Sequence, residues 1–373
     1  MLVLGLVGSA MAGPTAGLLT GEERRNRLGQ ALGILGALVA GFGVILFFAA
    51  NWSDIPRPLR VLLLLAALVA SFAAGFALRE VYGRANVGHA LIFLGTVLFG
   101  ASVFLVGQMY NVQAHDPLGF LLWAAGAFAI AFLVRSGPIA ALAILSFFAW
   151  LIHELVDATE SYDAAIVVPA YLALYGAALY GLGTGAQRWL ERLRFARPVR
   201  ILGFVFLVAG LLPLTFREAH EFGDADPVLD INRVAVTVAG LAAAAGIGVV
   251  ALPILRQRQR VTALAEAGVL LGCSVLVLAA VLWPEVSRDG GLRDRATVYP
   301  LLFNLAVAVV AFGALVVGML LDEVWLSNAG AATVGVDLLA RFFSSDWSML
   351  ERGIVFMLVG VGVLALAALL ERR

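Results

Sequence analysis

Residues 164–216 read AAIVVPAYLALYGAALYGLG, then TGAQRWLERLRFARPVR, then ILGFVFLVAGLLPLTF. An uncharged apolar run gives way to a short stretch holding Arg188, Arg192, Arg194, Arg197 and Arg200, and a second apolar run follows. A membrane-crossing helix needs about 20 apolar residues. Arginine-rich connections between such runs mark the cytoplasmic side of a bilayer. The stretch therefore reads as two spans joined inside the cell.

The rest of the chain repeats this pattern. It has 373 residues, 62% hydrophobic and 13% charged. A soluble domain carries roughly 25% charged residues, so a soluble fold could not hide this much apolar surface and the natural solvent is lipid. Twelve spans are expected. They are Ala31–Ala50, Leu59–Leu78, Gly88–Tyr110, Leu118–Val134, Pro138–Ile152, Ala164–Gly183, Ile201–Phe216, Arg233–Leu255, Leu264–Trp283, Tyr299–Leu320, Val324–Phe342 and Leu350–Leu370. Alternating strand patterns are absent, which argues against a β-barrel. The expected fold is an all-α polytopic transmembrane bundle of about 12 spans with both termini cytoplasmic.

Arginine placement supports that count. Placing both termini and the even-numbered connections inside gathers 16 of the 25 basic residues there, all of them Arg. Removing the short span Pro138–Ile152 would move the five-Arg stretch outside. Removing Ile201–Phe216 would do the same to Arg256, Arg258 and Arg260. Acids show the opposite bias, with His153–Asp163 and Glu218–Asp230 forming acidic outer stretches. The expected location is the bacterial cytoplasmic membrane. Leu2–Ala12 is a short apolar run that lacks a basic n-region and is too short to span. It reads as a leader ahead of a short cytoplasmic segment, together residues 1–30, with residues 31–373 as one transmembrane domain.

Basic and acidic residues balance at 25 each, so there is no basic excess for nucleic acid. The chain has no Lys for Schiff-base chemistry, and its one cysteine, Cys273, permits neither an intrachain disulfide nor a thiolate cluster. No cofactor is expected. The expected partners are the lipid bilayer and either a membrane-protein partner or further copies of the chain.

Several polar residues stand out against this background. Asp337 and Arg341 are four apart in one span and share a face, and Asn328 lies close to the same face at 3.6 residues per turn. Ionisable side chains inside a membrane are rare and face the bundle interior. The pair reads either as structural or as a proton or ion site. Gln108 and Asn111 share a face near the outer end of the third span, suited to interhelical bonds or to a polar solute. Asn304 is a further intramembrane amide. Asn51 and Trp52 close the first span, Trp as a headgroup-level anchor and Asn as a helix cap. Gly29, Gly33, Gly36 and Ala40 make a small-residue stripe for tight packing. His115, His153 and His220 each have an acid beside them, and Asp157 is one turn after His153. Zinc needs three or four converging ligands, and no HExxH spacing is present, so these are weak metal candidates.

Three stretches carry a resemblance. Gly17–Arg60 contains Gly17-Leu18-Leu19-Thr20, Phe47-Phe48-Ala49-Ala50-Asn51-Trp52 and Ile55-Pro56-Arg57. Phe93–Trp123 contains Leu98-Phe99-Gly100-Ala101, Gly107-Gln108-Met109-Tyr110-Asn111 and Trp123. Asp337–Arg373 contains Asp337-Leu338-Leu339-Ala340-Arg341-Phe342-Phe343, Met349-Leu350 and Leu370-Glu371-Arg372-Arg373. Together they resemble the bacterial membrane proteins catalogued as domain of unknown function 2157. The resemblance implies a multi-span inner-membrane protein and no particular activity. Three functions are weighed. One is a transporter or flippase of a small or amphipathic solute, suggested by the span count and by Asp337, Gln108 and Asn304. Another is a non-catalytic scaffold or envelope sensor, suggested by the absence of any catalytic motif. The third is a membrane-embedded enzyme using outer histidines and carboxylates.

Overall fold

The computed structural model describes residues 32, 35, 36, 39, 43, 46, 55–110, 117–158, 164–189, 196–220, 230–251, 260–282, 295–344, 354 and 357. Regular structure among them is entirely helical. The helices are α1 Arg57–Phe76, α2 Ala85–Met109, α3 Leu118–Val134, α4 Gly137–Ala158, α5 Ala164–Trp189, α6 Ala196–Leu211, α7 Asp230–Ala251, α8 Arg260–Leu282, α9 Arg295–Leu320 and α10 Val324–Ser344.

Seven stretches are long and apolar enough to cross a membrane: Arg57–Val81, Ala85–Met109, Gly137–Glu154, Ile166–Ala186, Ala196–Thr215, Thr262–Leu282 and Val298–Leu320. Of the short spans that arginine placement defended, Pro138–Ile152 falls within one of them and Ile201–Phe216 overlaps another up to Thr215. Leu118–Val134 and Val238–Ile247 are apolar but shorter. Helix α10 forms where a span is expected, but Asn328, Asp337 and Arg341 interrupt its apolar character. The expected spans Ala31–Ala50 and Leu350–Leu370 lie outside the described residues, save for single helical positions.

Small residues such as Ala127, Ala170, Ala239 and Ala243 are fully buried beside large ones such as Ile92, Leu174 and Phe303. Large apolar side chains point outward, among them Leu133, Leu241, Leu301 and Leu305. Water would penalise that surface at about 25 cal/mol per Å²; acyl chains do not. Between helices in lipid, the attraction comes from close van der Waals contact and interhelical hydrogen bonds. Close contact requires small residues where backbones meet.

Residues 12–309 form one compact unit and residues from Val310 onward belong to another. In the first unit, α1 turns into α2 through a π-helical turn at Ala77–Val81 and Gly83 at φ +66°. A left-handed φ of that kind is natural for glycine. Helices α2 and α3 interlock by aromatic rings seated on glycines: Trp123 on Gly100, Phe99 on Gly126 and Phe104 on Gly119. The Trp123 indole N–H also donates to the Thr96 carbonyl at 3.0 Å. Ile92, Phe93, Ala127, Ala131, Val134, Ile139, Ala140 and Ala143 form the buried core shared by α2, α3 and α4.

Helix α5 is the hub of the following bundle, packing closely against α6 and α7 and also touching α8. Its antiparallel contact with α6 seats backbone of one helix against glycines of the other. Gly210 meets Ala173, Gly176 meets Leu207, Gly203 meets Tyr180 and Gly183 meets Arg200. The contacting residues recur at steps of three and four on both helices, so one stripe of each faces the other. On another face of α5, Gly181 lies against Gly246 of α7. In the second unit, Gly318 meets Ser327 and Gly330 meets Ala311 and Leu315, which clamps the end of α9 to the start of α10.

Candidate functional site: buried polar clusters in the helical bundle

The tight α5–α6 contact positions the most buried charge among the described residues. Gly183 lets the backbone of Arg200 approach so closely that a Cβ at residue 183 would lie 2.5 Å from the Arg200 nitrogen. Arg200 is 2% exposed and belongs to the first turns of α6. The sequence counts it among the solvated loop arginines; the structure draws it into the bundle instead. Its Nη2 donates to Glu266 Oε1 of α8 at 3.0 Å and to the Tyr180 hydroxyl oxygen of α5 at 3.0 Å. The Tyr180 hydroxyl in turn donates to the same Glu266 oxygen at 2.9 Å. The Arg200 guanidinium also lies 5.1 Å from the centre of the Tyr180 ring, within cation–π range.

This cluster is electrically neutral, with one guanidinium, one carboxylate and one phenol. Pairing the guanidinium with the carboxylate offsets the cost of burying either charge alone inside the bundle. Three helices contribute one side chain each. The hydroxyl of Thr184, one turn after Tyr180, donates to the Tyr180 carbonyl at 2.8 Å. Sequence reading missed the cluster because Tyr180, Arg200 and Glu266 are separated by 20 and 66 residues. The one local signal is Glu266 standing alone in an apolar helix.

A second polar cluster surrounds His220. The ring is 3% exposed and lies across Tyr299 and Phe303 of α9, with centroids 5.8 and 5.7 Å away. Nε2 is 2.8 Å from the Leu214 carbonyl. A carbonyl only accepts, so that nitrogen carries the proton. Close by, the Asn304 amide donates to the Pro300 carbonyl of its own helix at 2.6 Å and to the Thr215 carbonyl at 3.3 Å. His220 is thus not part of a solvated acidic rim: it is buried against aromatic rings by the short helical turns Pro213–Thr215 and Arg217–His220.

The other expected residues scatter. His153 is exposed on α4 and stacks on Phe120 of α3, centroids 5.4 Å apart. Asp157 lies in the same helix. Among the described residues, no group of three or more His, Cys, Asp or Glu could hold a metal ion. Gln108 is exposed in the last turn of α2. Asp337 and Arg341 pair as their spacing predicts, at 3.7 Å, each side chain about 30% exposed. Asn328 is exposed in α10. Asn51, Trp52, Asn111 and His115 lie outside the described residues, as do Gly29, Gly33 and Ala40 of the first-span stripe.

Residues 15–140 match the model of a family described as a predicted membrane protein (DUF2157). The stretches Gly17–Arg60 and Phe93–Trp123 lie inside that match; Asp337–Arg373 lies outside it. The structure gives the second stretch a physical meaning, because Phe99, Gly100 and Trp123 are partners in the α2–α3 interlock. No curated protein and no solved structure matches the chain.

Proposed function

We propose that this membrane protein is a non-catalytic helical scaffold of the bacterial cytoplasmic membrane, whose polar side chains bind helices to one another. The observation that carries this reading is the cluster of Tyr180, Arg200 and Glu266, which pairs a buried guanidinium with a buried carboxylate across α5, α6 and α8. The remaining polar groups follow the same habit. Asn304 bonds to backbone carbonyls, His220 packs on aromatic rings, and Asp337 pairs with an arginine on its own helix.

Transport, which the span count suggests, asks for polar side chains that converge along a path. Of the residues suggested for it, Gln108 is exposed at the end of α2 and Asn304 is engaged with backbone. The enzyme reading asks for converging histidines and carboxylates. His153 and His220 instead pack on separate aromatic partners.

The test compares a deletion strain with its parent by solute profiling. A second strain carries Arg200→Leu with Glu266→Leu, which removes both charges and keeps apolar volume. The scaffold reading expects unchanged solute pools in the deletion strain and rescue of any envelope phenotype by the double variant, provided it folds. Accumulation of one solute class in the deletion strain, uncorrected by a well-folded double variant, would overturn it in favour of transport through the cluster.

A further inference from the structure

We infer that Arg79, Arg84, His89 and Arg135 form a rim at one end of helices α1, α2 and α3 that holds the headgroup of an anionic phospholipid. Helix register brings these residues to one level. Between α1 with its π-helical turn and α2, Phe72 lies against Gly95 and Arg79 against Gly88, where a Cβ would be 2.7 Å from the Arg79 Cβ. Between α2 and α3, Phe104 lies against Gly119 and Phe99 against Gly126. Carried on by roughly three helical turns, that second register sets Arg135 level with His89. Val134 and Ile92 share one buried core, as this alignment requires. Arg84 directly precedes α2.

The rim is open and has an excess of positive charge. Arg84 and Arg135 are exposed, and neither has an ion-pair partner among the described residues. Arg79 pairs at 3.0 Å with Glu80, the only acid in the segments 76–90 and 131–137. The His89 Nδ1 lies 2.8 Å from the Ala85 carbonyl, which only accepts, so that nitrogen carries the proton and Nε2 is left to meet a ligand. Apolar surface adjoins each arginine. Leu133 and Phe132, immediately before Arg135, are 77% and 61% exposed, and Phe76 and Val87 are exposed close to Arg79 and Arg84. A soluble anion or an acidic peptide matches the arginines alone. A phospholipid matches both parts, because its phosphate stands at the end of its acyl chains. Guanidinium groups bind phosphate through paired N–H donors. Their long stems lie along apolar surface while the charged heads reach the headgroup layer. Basic groups between spans at the membrane surface favour anionic headgroups over zwitterionic ones by charge.

The test is native mass spectrometry of the full-length protein, delipidated in detergent and titrated with phosphatidylglycerol or with phosphatidylcholine. Wild type should bind phosphatidylglycerol at least about tenfold more tightly, and Arg84→Gln with Arg135→Gln should weaken that binding at least about tenfold. Arg57→Gln removes an exposed arginine from the far end of α1 and should bind as wild type does. Both arginines of the double variant are exposed, so its melting temperature should match wild type. If it does not, the single variants Arg84→Gln and Arg135→Gln decide, each with a loss of at least about threefold. Unfolding of both single variants would overturn the inference, making the arginines determinants of the fold. Equal affinity for the two lipids, or full binding by a folded double variant, would also overturn it. So would an equal loss in Arg57→Gln, which would mean diffuse attraction by net charge. Sodium phosphate, matched in ionic strength to sodium chloride, is the last arm. Phosphatidylglycerol should resist both salts alike; release by phosphate alone would assign the rim to a soluble phosphate ligand instead of a lipid.

Discussion

Replacing Gly183 by alanine sets two known effects against each other. Alanine favours a helix over glycine by about 0.8–1 kcal/mol. Against that, the new Cβ would sit 2.5, 2.7 and 2.8 Å from the nitrogen, Cα and Cβ of Arg200. Ordinary contact begins at 3.4 Å, so α5 and α6 must separate by several tenths of an ångström at a point where backbone faces backbone. Overpacking of this kind costs about 1–3 kcal/mol. The displacement also moves Arg200 away from Tyr180 and Glu266, and interhelical hydrogen bonds within membranes average about 0.6 kcal/mol each. The expected net effect is a loss of about 1–3 kcal/mol. Gly268→Ala is the matched control, because nothing lies within 4 Å of its Cβ; it should be neutral or stabilising. The assay is equilibrium unfolding in mixed detergent micelles, followed by the fluorescence of the seven tryptophans. A Gly183→Ala protein as stable as Gly268→Ala would refute the claim that close backbone approach at Arg200 holds this bundle together.

Three more outcomes are expected. Impermeant thiol reagents applied from outside, in a Cys273→Ala background, should modify Glu154→Cys but not Tyr82→Cys; the reverse pattern would invert the topology read from the arginines. Purified protein should hold no stoichiometric zinc, and one tightly bound metal per chain, lost on His153→Ala, would revive the enzyme reading. Asp337→Asn should lower stability by under about 1 kcal/mol, since the pair is local and partly exposed, and the exchange Asp337→Arg with Arg341→Asp should recover part of it. A fully stable Asp337→Asn protein that fails to complement a deletion strain would instead mark α10 as a functional site.

The sequence by itself determined the solvent and the secondary structure. Apolar runs of spanning length leave the backbone no polar partner outside its own helix, so helices follow from composition. Local spacing was equally legible: Asp337 and Arg341 meet because four residues make about one helical turn. Arginine asymmetry supported crossing at Pro138–Ile152 and Ile201–Phe216, and both overlap helical stretches long and apolar enough to cross a membrane. The partners of the polar groups, by contrast, were decided only by tertiary packing. Arg200 belongs by sequence to a basic connection and by structure to a buried cluster, because Gly183 admits its backbone and Glu266 arrives from α8. His220 sits beside an acid in sequence and against Tyr299 and Phe303 in space. Helical periodicity fixes which side chains share a face, but not which helix that face will meet. In lipid, where apolar surface attracts no helix in particular, that choice rests with the fit of small residues against large ones and with a few hydrogen-bonded charges.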